Sequence, residues 1–160
     1  MVFFFYNMIR YYIYIAAIFL LFTGCTSDEN TGYVTIPPVS QVTVDLSRVP
    51  YATLSEYHFF DEKLSGLIPS SGVIPYEPIS SLFSNYAQKL RFVWLPSGTM
   101  GTYNGDANNI ELPLGSVIIK NFFYDNVLPD NTRVLLETRL MIRKAEGWTF
   151  AEYFWNDEQT

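Results

Sequence analysis

Few side chains in this chain could do chemistry. His58 is the single histidine and Cys25 the single cysteine, so no transition-metal centre of histidine and cysteine ligands can be assembled within it. Ser55 lies close to His58, but no GxSxG elbow accompanies the pair, and a lone histidine beside aromatics is more simply packed or surface-exposed. Asn104, Asp106, Asn108 and Glu111 alternate as calcium ligands do. The glycine and the bidentate glutamate of such a loop fall at the wrong spacing, however, and NGDANN reads as a turn. The adjacent acids Asp61 and Glu62, and Asp157 and Glu158, would face opposite ways on a strand and read as solvated charge. No glycine-rich phosphate loop is present. The sequence thus assigns no catalytic residue and no metal ligand.

Cys25 has a different explanation. It follows MVFFFYNMIRYYIYIAAIFLLFTG, in which Arg10 precedes an unbroken apolar stretch, Tyr11 to Phe22, and two small residues. That is the order of a secretory signal peptide, and its apolar core is shorter than the roughly 20 residues of a membrane span, although extended back through Val2 to Tyr6 it is long enough for a retained anchor helix. Phe22, Thr23, Gly24 and Cys25 resemble the lipobox of bacterial lipoproteins. The resemblance implies that Cys25 becomes the lipidated first residue after cleavage and anchors the chain in a bacterial cell envelope, with the outer membrane favoured. Several acyl chains hold a protein stably where one is marginal, because each buried methylene contributes about 0.8 kcal/mol.

Composition restricts the possible partners. The chain has a formal charge of −6, all the more acidic once Arg10 is set aside, which argues against a nucleic-acid partner. With one cysteine there is no internal disulfide, and stability must come from a packed core, for which the length is sufficient. Aromatic residues make up 18% of the chain, in words such as HFF, RFVW, NFFY and EYFW, most of them expected in that core.

The organisation expected is a signal peptide over 1–24, a tether over 25–49 and a β-rich domain over 50–160. Within the tether, VTVDL alternates and reads equally as a strand or as extended linker. LSEYHFFDEKLSGL, with Ser55 as a candidate cap and Leu54, Tyr57, Phe60 and Leu64 as its apolar positions, fits one short helix or helical turn, and ISSLFSNYAQKL, with Ser80 as cap and Leu82, Phe83 and Tyr86 turned inward, predicts a short helix. KLRFVWLP sets Leu90, Phe92 and Trp94 on one face of a strand and Arg91, Val93 and Leu95 on the other. PLGSVIIKNFFY has the β-branched residues of a buried strand. RVLLETRLMIRK alternates Leu136, Thr138, Leu140 and Ile142 against Glu137, Arg139, Met141 and Arg143, and WTFAEYFW returns after Ala145, Glu146 and Gly147, so that 133–155 forms a hairpin. The fold class expected is mainly β, an antiparallel sandwich or barrel-like sheet with a few short helices, preceded by the N-terminal signal or anchor helix.

The words GVIPYEPISSLFSNYAQKLRFVWLP, PLGSVIIKNF, LLETRLMIR and YFWNDEQT, in this order, resemble the N-terminal non-haem region of an uncharacterised family of exported bacterial proteins. Many of its members continue into a C-terminal c-type cytochrome region with CxxCH motifs. The likeness runs from about Leu54 to Thr160. It implies a lipid-anchored scaffold or docking domain of an electron-transfer protein, with a redox or envelope protein as partner. This chain has no CxxCH, so no covalent haem attachment is expected in it; haem c is expected only if the gene continues beyond Thr160, and the domain is expected to be truncated there. A second reading is a stand-alone lipoprotein that binds a glycan or a protein by stacking on Trp94, Trp148 and Trp155. A third, a hydrolase acting through carboxylates such as Glu137 or Asp157, has no constellation behind it.

Overall fold

The computed structural model describes residues 40–61 and 63–160. Cys25, the lipobox and the signal or anchor segment lie outside the described residues. The rest is mainly β, as the alternating patterns require. Five strands, β1 (Val73–Pro75), β2 (Gln88–Trp94), β3 (Val117–Val127), β4 (Thr132–Lys144) and β5 (Gly147–Phe154), form one antiparallel sheet in the order β1-β2-β3-β4-β5. Each strand pairs with its neighbour in sequence, the arrangement that short connections permit for antiparallel strands.

One sheet has only two faces to bury, and here one of them is the core. Phe92, Trp94, Val117, Ile119, Leu140 and Ile142 point to this inner face and are nearly or fully buried. In a sandwich a second sheet would cover them; here the cover is the segment before β1. Its Val49, Tyr51, Leu54, Tyr57, Phe59, Phe60 and Leu67 join the same cluster. The segment contains only two 3-10 turns among the described residues, Leu54–Tyr57 and Leu64–Gly66. The first is a helical turn, as the spacing allowed, but it is closed at its start by Thr53, not Ser55: the Glu56 carboxylate accepts a hydrogen bond from the Thr53 backbone N–H at 3.0 Å. His58 takes a positive φ of 55° directly afterwards, which stops any continuation into an α-helix.

VTVDL is neither a strand nor a free linker. Val42, Val44 and Leu46 pack against the core, and the Thr43 N–H donates to the Tyr57 carbonyl at 3.0 Å. The domain therefore includes at least the last ten residues of the span read as tether.

Two further expectations are corrected. No helix forms at 79–87, where Asn85 and Tyr86 both take positive φ and Gln88 already belongs to β2. Leu82, Phe83 and Tyr86 accordingly point outward, at 82%, 72% and 82% exposure. In β4, Glu137 opposes Phe122 while Leu135, not Leu136, opposes Phe123. Leu136 is the extra residue of a β-bulge, and the shift turns Leu135 into the core in its place. The hairpin is as expected, with Lys144 paired to Gly147 across Ala145 and Glu146.

Candidate docking face

The register of the sheet sets the geometry of its outer face. Successive pairings align Arg91 of β2 with Lys120 of β3, Lys120 with Arg139 of β4, and Arg139 with Glu152 of β5. The Tyr76 N–H donates to the Arg91 carbonyl at 3.0 Å, which brings Tyr76 beside that row at its β1 end. Two residues along the strands, a second row runs Ile74, Val93, Ile118, Met141 and Phe150, entirely apolar. Two residues the other way, the row is Lys89, Phe122, Glu137 and Phe154. Residues two apart on a strand share a face, which is why alternation within each strand becomes stripes across the sheet.

The cation row is only partly neutralised. Arg139 is held at 2.7 Å by Glu137 and at 2.7 Å by Glu152. Among the described residues no carboxylate forms an ion pair with Arg91 or Lys120. Lys120 lies over the Phe122 ring, with its nitrogen 4.6 Å from the centroid. Partial burial first, then the positive charges of Arg91, Lys89 and Arg139, hold the Lys120 ammonium below its ordinary pKa. Like charges directly opposite on neighbouring strands disfavour folding, so this row works against stability.

A groove of about 590 Å³ runs along the cation and apolar rows, between Tyr76, Arg91, Ile118, Lys120, Met141 and Phe150. A second, of about 480 Å³, continues past Lys120 and Arg139 towards Phe154 and the 82–87 loop. That loop is tied down by the Lys89 ammonium donating to the Leu82 carbonyl and by the Tyr124 hydroxyl donating to the Asn85 carbonyl at 3.3 Å. Ile74, Phe150 and Phe154 are more than half exposed on the sheet itself, and Leu82, Phe83 and Tyr86 extend the apolar surface on the loop. Together these residues make an exposed face on which apolar side chains and charge are interleaved.

The residues singled out from the sequence are dispersed. Trp94 is a core residue, 8% exposed, and offers no free ring face. Trp155 packs half-buried against the core, and its Nε1–H donates to Thr138 Oγ1 at 3.0 Å. Trp148 alone of the three belongs to the outer face, with the Arg143 guanidinium 5.7 Å from its ring centroid. The Ser55 hydroxyl bonds Thr53, not His58. In the 104–111 loop the Tyr103 hydroxyl donates to Asp106, raising the tyrosine pKa, and Asn104 Nδ2 donates to Glu111 at 3.5 Å, so both carboxylates are engaged locally. Among the described residues, no group of three or more histidine, cysteine, aspartate and glutamate side chains gathers as a metal site would need.

Sequence reasoning missed Arg91, Lys120 and Arg139 as a unit. Their strand faces were legible individually, but alignment into one row depends on pairing register, which no single strand encodes. No family model, no curated protein and no solved structure matches the chain.

Proposed function

We propose that this chain is a membrane-anchored bacterial lipoprotein, tethered through lipidated Cys25, whose β-rich domain is a non-catalytic docking module in the cell envelope. On this reading it serves as the scaffold or docking domain of a cytochrome c-like electron-transfer protein. The observation that supports docking is the outer sheet face: ordered by strand pairing, exposed among the described residues at Ile74, Phe150 and Phe154, and striped with cations and apolar rings. A fold that buried this face for stability alone would not align Arg91, Lys120 and Arg139 across three strands.

A stand-alone module for a protein ligand would use the same face. Its glycan-binding form is less well supported, because Trp94 and Trp155 lie on the inner side of the sheet.

The test has two arms. Metabolic labelling with a palmitate analogue should mark the wild-type chain in the membrane fraction and leave Cys25→Ser unlabelled. A photo-crosslinker placed at Phe150 should, in the producing bacterium, give one discrete adduct that stains for covalent haem. A Cys25→Ser chain that still acquires label would end the anchor reading. A discrete adduct without haem would end the cytochrome reading while keeping docking.

A further inference from the structure

We infer that the partner of the outer face is a protein surface in β conformation that presents carboxylates two residues away from apolar side chains, with a carboxylate seated between Arg91 and Lys120. The inference rests on the docking reading and specifies what is docked.

The first argument is charge. The described residues provide Arg139 with two ion-paired carboxylates but leave Arg91 and Lys120 facing each other with no ion pair, Lys120 feeling only the more distant charge of Glu137, in a chain whose net charge is −6. An acidic protein that keeps two opposed cations unpaired on an open face has a site for an anion supplied from outside. Arg91 brings a planar fork that binds a carboxylate through two hydrogen bonds, and Lys120 a point charge beside it.

The second argument is spacing. Along β2 the outer face reads Val93 then Arg91; along β3, Ile118 then Lys120; along β4, Met141 then Arg139. Each strand places an apolar residue two positions from a cation, a period of about 6.6–6.8 Å. A facing strand has the same period, so one with an apolar residue two positions from an aspartate or glutamate matches both rows at once. Face-to-face packing of two sheets brings such side chains together at about 10 Å between backbones.

The third argument separates this partner from an anionic membrane. A lipid surface is extended and meets the field of the whole acidic chain, which repels it. A local carboxylate patch within a screening length of about 8–10 Å responds mainly to the cation row.

The test uses the full chain in nanodiscs of neutral phosphatidylcholine. The probe is a fluorescent nine-residue peptide with leucine and glutamate alternating at odd positions and threonine between them. Anisotropy should report saturable binding that weakens with salt. Binding should fall at least tenfold when glutamine replaces glutamate in the peptide, and at least tenfold in the Arg91→Gln/Lys120→Gln chain, while Arg91→Lys, which keeps the charge but not the fork, should lose less than the double variant. Equal binding of the two peptides, or undiminished binding by the double variant, would overturn the inference. So would Arg91- and Lys120-dependent binding to phosphatidylglycerol vesicles with no response to the peptide. A Phe150 crosslink that persists unchanged in the double variant would retain docking and remove the carboxylate as its determinant.

Discussion

The hydroxyl of Tyr57 donates to that of Tyr153 across 3.0 Å, joining the coil layer to the edge strand of the sheet. The direction of the bond is set by its neighbours. Tyr153 gives its own proton to the Tyr51 carbonyl at 2.8 Å, and the Tyr51 N–H donates to the Tyr57 oxygen at 3.0 Å. Two phenols thus close the seam between layers, with Tyr51, Tyr57 and Phe59 stacked or tilted at 4.5–5.0 Å between ring centroids beneath it.

Replacing Tyr153 by Phe leaves the Tyr51 carbonyl and the Tyr57 proton without their partner and should cost about 1–3 kcal/mol. Urea denaturation at pH 7 measures it. A loss below about 0.5 kcal/mol would mean that the seam is held by ring packing alone.

The same tyrosine carries a pH dependence. Burial above all holds the Tyr153 pKa well above its ordinary 10.0. Because the folded pKa is the higher, its stabilising contribution is complete below pH 10.0 and is lost as pH rises beyond it: unfolded Tyr153 ionises there while the folded one stays neutral. Denaturation midpoints between pH 8 and 11 should fall more steeply for wild type than for Tyr153→Phe. Parallel curves would exclude Tyr153 as the source.

These two layers differ in how far the sequence revealed them. Strand alternation made Phe92, Leu140 and Ile142 legible as core, because a pleated chain has only two sides. The coil layer was legible only in part: the spacing of Leu54 and Tyr57 marked a helical turn, but Tyr51 and Phe59 follow neither helical nor strand period, since single left-handed residues such as His58 place them separately. The exposure of Phe83 and Tyr86 was missed for a related reason, as their spacing suits a helix that two consecutive positive φ angles forbid. For the outer face, the composition of each strand was visible while the register that aligns them was not.

A pair of phenylalanines separates the faces experimentally. Phe59 is fully buried and stacked on Tyr57, so Phe59→Ala should cost about 3–5 kcal/mol. Phe154 is 77% exposed, and Phe154→Ala should change stability by less than about 0.5 kcal/mol. Thermal or urea unfolding of both variants reads the difference, and a large loss at Phe154 would show that the outer face is covered in the folded chain.

Within the core, Thr138 Oγ1 donates to Asn121 Oδ1 at 2.6 Å and accepts from Trp155 Nε1, while Asn121 Nδ2 is buried without a partner among the described residues. Thr138→Val removes the shared hydroxyl and leaves the whole Asn121 amide unpaired, for an expected loss of about 2–4 kcal/mol. Adding Asn121→Val should recover part of that loss, because the stranded amide is then gone. If the double variant is less stable than Thr138→Val, the network is not the cause.

The cation row makes the opposite forecast. Arg91→Glu converts a like-charge pair with Lys120 into an opposite-charge one and should raise stability by about 0.5–1 kcal/mol, while ending binding of an acidic probe. Calorimetric melting of the variant checks the first part. A lowered melting temperature would show that Arg91 is held by contacts that favour folding.

The N-terminal layer also sets how the domain would bear load. Val42, Val44 and Leu46 lie against the core, but apart from the local turn in which Arg48 and Val49 donate to the Asp45 carbonyl, one backbone-to-backbone hydrogen bond among the described residues, from Thr43 to Tyr57, ties that stretch to the layer, whereas β3 and β4 are laddered over most of their length. Tension applied at residue 40 therefore peels the cover from the inner face contact by contact, at low force, before it can shear the sheet. The domain is mechanically polar: yielding at the end that begins with residue 40, stiff across the strands, and its apolar interior is the first surface that a sustained pull would open.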